Sequence, residues 1–279
     1  MSEERFSRTE MLIGSTAVET LRKKRVLVFG VGGVGGYVCE ALARSGIGTF
    51  GLVDPDSVAE SNINRQIIAG YRTVGRPKTE VMKERILEIS PDTTVRIWPI
   101  FFLPACADGI PFAEYDYVVD AVDTVTAKIE IICRAMAAGI PVISAMGAGN
   151  RLDPSKVRTA DLADTKGDGL ARVMRRELRK RGIEHVKVVY SEEEAVHPEE
   201  RRRDVASGDP ASAGPGSADS VSADPACVGP ISAGTGIDAA SEETSKTERR
   251  RSTPGSMVFV PAASGILLAS EVVKDLLRE

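Results

Sequence analysis

Short apolar runs alternate with segments of helical period through most of the chain. Val26-Leu27-Val28-Phe29 is continuous and apolar, a glycine-rich stretch runs from Gly30 to Gly36, and a helical pattern follows over Tyr37 to Arg44. A second apolar run, Thr49 to Val53, ends in Asp54-Pro55-Asp56. Pro77 suits the first turn of a helix in which Met82, Ile86 and Ile89 fall at i, i+4 and i+7, and Pro91 stops the pattern. The spacing predicts a strand within 93–102 and another over 115–122, where Val118 and Val119 read as a strand covered on both faces. A helix over 126–138, a strand over 141–145, a strand over 156–162, a helix over 169–181 and a strand over 185–191 complete the series. Repeated βα units predict an α/β fold, doubly wound around a mainly parallel sheet.

The two ends differ from this alternation. Residues 1–24 read as an N-terminal helical arm, with Ser7-x-x-Glu10 as a capping box and Gly14-Ser15 as a break between two short helices. At the other end a strand is expected over 257–261. Ile266, Ala269, Val272, Val273, Leu276 and Leu277 then line a wide helical stripe, giving a C-terminal strand-helix. Between Tyr190 and Phe259 there is no aromatic residue, and 204–245 is mostly Ala, Ser, Gly, Pro and Asp. Such a stretch buries too little apolar surface to offset ordering entropy of about 1–2 kcal/mol per residue. The expected organisation is one domain, 1–191 with 257–279, interrupted by a low-complexity, disordered insertion at 192–256.

Strand, glycine turn, helix, strand and acid make a Rossmann-like nucleotide-binding unit. Gly30 and Gly32 let the backbone turn tightly towards phosphate, Gly35 lets the helix pack on the strand, and the helix N-terminus offers free N–H groups to an anion. Asp54, at the end of the second strand, can accept bonds from ribose hydroxyls. A glycine turn alone does not separate a dinucleotide from a nucleoside triphosphate. The polar cluster Ser61-Asn62-Ile63-Asn64-Arg65-Gln66 and the following Arg76-Pro77-Lys78 favour the triphosphate. Hydride transfer has no use for converging Asn, Arg and Lys, whereas carboxylate adenylation builds negative charge on phosphate. Asp120 and Asp123 lie at the C-terminal end of a predicted strand, where open α/β sheets bind ligands. Asp123 is placed to hold Mg²⁺ on a triphosphate, and Asp120 reads as a structural acid. Met146-Gly147-Ala148-Gly149-Asn150 leaves room for a substrate.

GVGGVGG, the DPD turn, SNINRQ, VGRPK and DAVD, in this order, resemble the ubiquitin-activating-enzyme-like superfamily that includes HesA, MoeB and ThiF. RFSRTEMLIG, EALARSGIG, DYVVDAVDT, IPVISAMGAGN and FVPAASGILLASEVV are similar to one branch of it, the tRNA threonylcarbamoyladenosine dehydratases. The resemblance covers roughly residues 5–191 and 257–279. It implies ATP and Mg²⁺, with nucleotide contacts from Gly30, Gly32, Gly33, Gly35, Asp54, Asp56, Asn62, Arg65 and Lys78. Catalytic roles fall to Arg8, Asn62, Arg65, Lys78 and Asp123, with Asp123 on the metal. It also implies a homodimer in which Arg8 reaches the partner's phosphates, a tRNA substrate carrying N6-threonylcarbamoyladenosine, and a possible sulfur-transfer partner. Arg8 has no local reason to be where it is, because a cation at a helix N-terminus opposes the dipole.

Composition narrows these readings. The net charge of the 279-residue chain is −4, so any RNA contact must be local. Arg172, Arg175, Arg176, Arg179, Lys180 and Arg181 form the one basic cluster worth weighing, either as a tRNA contact or as a solvated helix face. Cys39, Cys106, Cys133 and Cys227 are widely spaced with no CxxC, which disfavours a zinc site and a disulfide framework and points to the cytoplasm. His185 and His197 take no role. No signal core and no run of 18 apolar residues predicts a membrane association. Three alternatives stay open: adenylation of a ubiquitin-like sulfur carrier, a nicotinamide dehydrogenase, and a nucleotide-binding scaffold without catalysis.

Overall fold

The computed structural model describes residues 4–196 and 254–278. The expectations placed on His197, Cys227 and the 204–245 stretch lie outside the described residues. In chain order the elements are α1 (Ser7–Ile13), α2 (Ser15–Lys23), β1 (Arg25–Phe29), α3 (Gly35–Ser45), β2 (Thr49–Val53), α4 (Lys78–Ile89) and β3 (Thr94–Trp98). They continue with β4 (Tyr117–Asp120), α5 (Val125–Ala137), β5 (Val142–Ala145), β6 (Val157–Asp161), α6 (Gly169–Arg179), β7 (Lys187–Ser191) and α7 (Phe259–Leu276).

Seven strands form one sheet in the order β3-β2-β1-β4-β5-β7-β6. All neighbours are parallel except β6 with β7. β1 sits between β2 and β4, so the winding reverses there and opens a crevice at the C-terminal ends of the strands. Period-two alternation divides β1 between the two faces. Val26 and Val28 join the core under α3, α4 and α7. Leu27 and Phe29 join the opposite core, where Phe29 meets Phe102 and Phe112 at ring-centroid distances of 4.7 and 5.4 Å.

Two contacts fix α3, the helix that follows the glycine turn. Glu40 is buried and accepts from Arg44 Nε at 2.8 Å and from Arg85 Nε at 2.9 Å, which ties α3 to α4. On the other side α7 crosses the start of α3 at Gly265. A Cβ there would stand 2.5 Å from the Val34 carbonyl oxygen, so glycine sets the depth of the crossing.

The ends depart from expectation twice. Residues 257–261 form no strand; α7 begins at Phe259. Val260, Ser264, Leu268, Val272 and Leu276 recur every four residues on the buried face, and Pro261 stands in the first turn, where its missing N–H has no helical partner to lose. The apolar run that looked like a strand is the first turn of this stripe. The capping box does not form either. α1 starts at Ser7 with Phe6 in the cap position and no side-chain cap bond. Phe6 is buried, with the Arg5 and Arg22 guanidinium carbons 5.1 and 5.4 Å from its ring centroid, so an aromatic anchor sets the helix entry in place of a hydroxyl.

Candidate active site

The glycine turn occupies the crevice beside β1. Gly30 adopts φ +85°, and its N–H donates to Val53 O at 2.8 Å. A Cβ at this position would stand 2.7 Å from Ala121 O, so the turn is wedged between the ends of β2 and β4. Asp54 braces it from below. Its Oδ2 accepts from Val31 N at 2.6 Å and its Oδ1 from Asp56 N at 2.9 Å. Burial pushes this carboxyl above its usual range, against the pull of the Lys78 charge and the two backbone N–H groups. Each oxygen keeps a second lone pair for a ribose hydroxyl. No side chain caps α3. The first N–H groups of a helix have no partner within it; Gly36 N donates back to Gly32 O at 3.0 Å, which leaves those of Gly35 and Tyr37 to an anion.

The polar cluster folds back over this turn. Arg65 lays Cγ and Cδ 3.5 and 3.7 Å from the Cβ position of Gly33, and its Nη1 donates to Ser61 O and Asn64 Oδ1, each at 2.9 Å. Asn62 is buried, and its Oδ1 accepts from Ala59 N at 3.2 Å, which shapes the turn that aims Arg65. Lys78 is buried at the start of α4, with Nζ 2.6 Å from Asp56 Oδ2. The intervening loop is pinned at its base by Val58 N to Arg76 O at 2.9 Å and Gly75 N to Val58 O at 2.8 Å. The chain therefore gathers Gly30, Gly32, Gly33, Gly35, Asp54, Asp56, Asn62, Arg65 and Lys78 at one edge.

The two acids after β4 part company. Asp120 is buried in the strand, bonded to Ser144 Oγ at 2.6 Å and paired with Lys128 at 3.0 Å. Asp123 is exposed beyond the strand end, and its one bond among the described residues is from Thr124 Oγ1 at 3.3 Å. Arg8 is exposed on α1 and makes no ion pair among the described residues. Among the described residues, no hydrogen bond or ion pair joins it to the glycine turn.

Three features of the site were not assigned from the sequence. Gln66 is buried with Oε1 unpartnered among the described residues, and its Nε2 lies 3.8 Å from the Cβ position of Gly32. Its place beside Arg65 in the polar cluster was the available signal. Residues 254–256 cross the edge as a strap: Asn64 Nδ2 donates to Ser256 O at 2.8 Å and Asn150 N to Gly255 O at 2.7 Å. Asn150, at φ +57°, also accepts from Val196 N at 2.6 Å, so both flanks of the 197–253 segment meet at one residue. Behind the small-residue loop, Arg151 and Asp168 form a buried pair at 3.0 Å, and Asp168 Oδ2 accepts from Gly147 N at 3.2 Å. Cys39 is fully buried, which pushes its thiol up and away from reactivity.

Residues 6–279 match the ThiF family. The tRNA threonylcarbamoyladenosine dehydratase of Bacillus subtilis (strain 168) is 36% identical over 275 residues, or 98% of this chain and 95% of the relative. The solved structure of the Escherichia coli tRNA N6-threonylcarbamoyladenosine dehydratase with AMP superposes at a TM-score of 0.76 and 29% identity, over 99% of this chain and 94% of that one. The same enzyme with ATP gives 0.74 at 29% identity over the same shares. With the family matched over 6–279 and a relative 36% identical over nearly its whole length, the chain belongs to the ThiF family.

Proposed function

We propose that the protein dehydrates N6-threonylcarbamoyladenosine in tRNA, using ATP to activate the threonyl carboxylate. A carboxylate oxygen attacks the α-phosphorus, and the bond to pyrophosphate breaks. An atom of the same side chain then attacks the activated carbonyl, closes a ring, and AMP leaves with the carboxylate oxygen. Hydroxide, a poor leaving group, is thereby replaced by AMP, and closure within one side chain gains from proximity.

The observation that carries this reading is Arg65 against Gly33 of the glycine turn, with Lys78 paired to Asp56 beside the Asp54 that braces it, in a chain coextensive with the Bacillus subtilis dehydratase. Asp54 holds the turn and the ribose. The α3 N–H groups and Arg65 face the phosphates, and Lys78 supplies charge where pyrophosphate departs. Asp123 fits a Mg²⁺ ligand, since its exposed carboxylate is nearly unengaged and Mg²⁺ on a nucleotide takes one or two carboxylates from the protein. The ion would neutralise charge on the departing group. Gln66, unassigned from sequence, adds a further amide to the turn.

Arg8 completes the site from a second copy, so the working unit is a homodimer in the cytoplasm. A sulfur-transfer partner would assist from outside the two chemical steps, neither of which moves sulfur. No helix among the described residues is long and apolar enough to cross a membrane. In this reading 1–191 and 257–279 carry the chemistry and 192–256 is an insertion, whose two ends, at Val196 and Gly255, are tied to Asn150.

ATP–pyrophosphate exchange tests the adenylation step. Exchange that requires tRNA bearing the modified adenosine is expected. Exchange driven instead by a ubiquitin-like carrier, with tRNA inert, would favour carrier adenylation.

A further inference from the structure

The basic cluster read from the sequence resolves into two sets on α6. Arg175 is half-buried and turned inward, with Nε 2.9 Å from Leu162 O and Nη2 2.6 Å from Thr165 O. Ala171, Met174 and Leu178 are buried, whereas Arg172, Arg176 and Arg179 recur at i, i+4 and i+7 and are exposed. Arg176 and Lys180 share Glu177, at 3.0 and 2.9 Å, and Arg181 reaches the same carboxylate at 3.7 Å. Arg172 and Arg179 have no carboxylate partner among the described residues, and they stand about 10 Å apart along the helix. On a chain of net charge −4, α6 and the two residues that follow it thus carry five exposed cations against the one carboxylate of Glu177.

The start of this helix is fastened to the candidate site. Asp168 caps α6 through Oδ1, which accepts from Ala171 N at 2.8 Å, while its Oδ2 accepts from Gly147 N and pairs with Arg151. Gly147 lies two residues beyond β5, in the loop that borders the crevice. The positive face therefore begins beside the small-residue loop after β5.

We propose that the outward face of α6 docks the phosphate backbone of the substrate tRNA, with Arg172 and Arg179 contacting phosphates. This rests on the tRNA reading of the site. A polyanion lying along α6 would present its modified adenosine to the crevice past Gly147, and the buried Arg151–Asp168 pair keeps the two surfaces in fixed register. Other cations on the face contribute less, because Glu177 already neutralises part of their charge.

The test is the full-length double variant Arg172→Glu/Arg179→Glu, compared with the wild type for tRNA binding by mobility shift across a NaCl series, and for ATP affinity. About tenfold weaker tRNA binding is expected, with a log–log salt slope shallower by about 1.4 and unchanged ATP affinity. The double Lys variant should keep most of the binding, because a phosphate accepts any point charge. Unchanged affinity and slope in the Glu variant would overturn the proposal and leave α6 as a solvated face. A melting temperature checks that both variants fold; if the Glu variant does not, Arg172→Ala/Arg179→Ala is read by the same criteria. Wild type that binds tRNA through this face without converting it would count against the dehydration reading and leave the docking surface standing. Wild type that does not bind tRNA would overturn both.

Discussion

Asp120 Oδ2 and Lys128 Nζ face each other at 3.0 Å with neither side chain exposed, while Asp123, three residues on, stands in solvent. Two acids on one short segment thus have separate tasks. Asp120→Ala strands a buried ammonium and should lower stability by about 3–5 kcal/mol. Asp123→Ala should leave the melting temperature unchanged and abolish turnover. Chemical denaturation and initial rates on both variants check this. Near-normal Mg²⁺-dependent rates for Asp123→Ala would remove it from the site.

The Glu40 clamp predicts a pH signature. Burial raises this carboxyl, but bonds from Arg85 and Arg44 outweigh it, and the net shift is downward. A lowered folded value means that its stabilisation is complete above the unfolded value of about 4.3 and is lost as pH falls through the folded one. Glu40→Gln should therefore cost about 2 kcal/mol at neutral pH. The gap to wild type should shrink below about pH 4. Urea unfolding at several pH values measures it. A gap independent of pH would show that charge is not what the clamp uses.

Arg8 predicts shared sites. Mixing inactive Arg8→Ala with inactive Asp123→Ala subunits should restore partial activity, because one site of the mixed dimer has both residues intact. No recovery after verified subunit exchange would mean that Arg8 does not act in trans.

Residues 204–245 should be dispensable. The segment's flanks are already joined through Asn150, by bonds of 2.6 and 2.7 Å. Loop closure costs only about 0.6 kcal/mol per doubling of length. A deletion variant should fold, bind ATP and convert tRNA. Normal folding and ATP binding with no conversion would place Cys227 or its neighbourhood in the mechanism.

Much of this was legible in the sequence because it is local. The Val26–Phe29 run, the glycine turn and Asp54 sit within one βαβ unit, and their order specifies the crevice. Asp120 read as structural because it lies inside an apolar strand. The features that escaped are long-range. Nothing near Ser256 announces its bond to Asn64, and Arg151 and Asp168 are joined only by the packing of α6 on the loop after β5. Phe259 misled because the five-residue apolar run 257–261 has no helical period of its own; the register of Val260 with Leu268 and Val272 makes it helix.

The central claim is dehydration of the tRNA nucleoside, and nucleoside mass spectrometry tests it most directly. Modified tRNA is incubated with the protein, ATP and Mg²⁺, digested, and compared with a reaction lacking ATP. N6-threonylcarbamoyladenosine is expected to lose the mass of one water, with one AMP and one pyrophosphate formed per nucleoside converted. An unchanged nucleoside in the presence of folded, ATP-binding protein would contradict it.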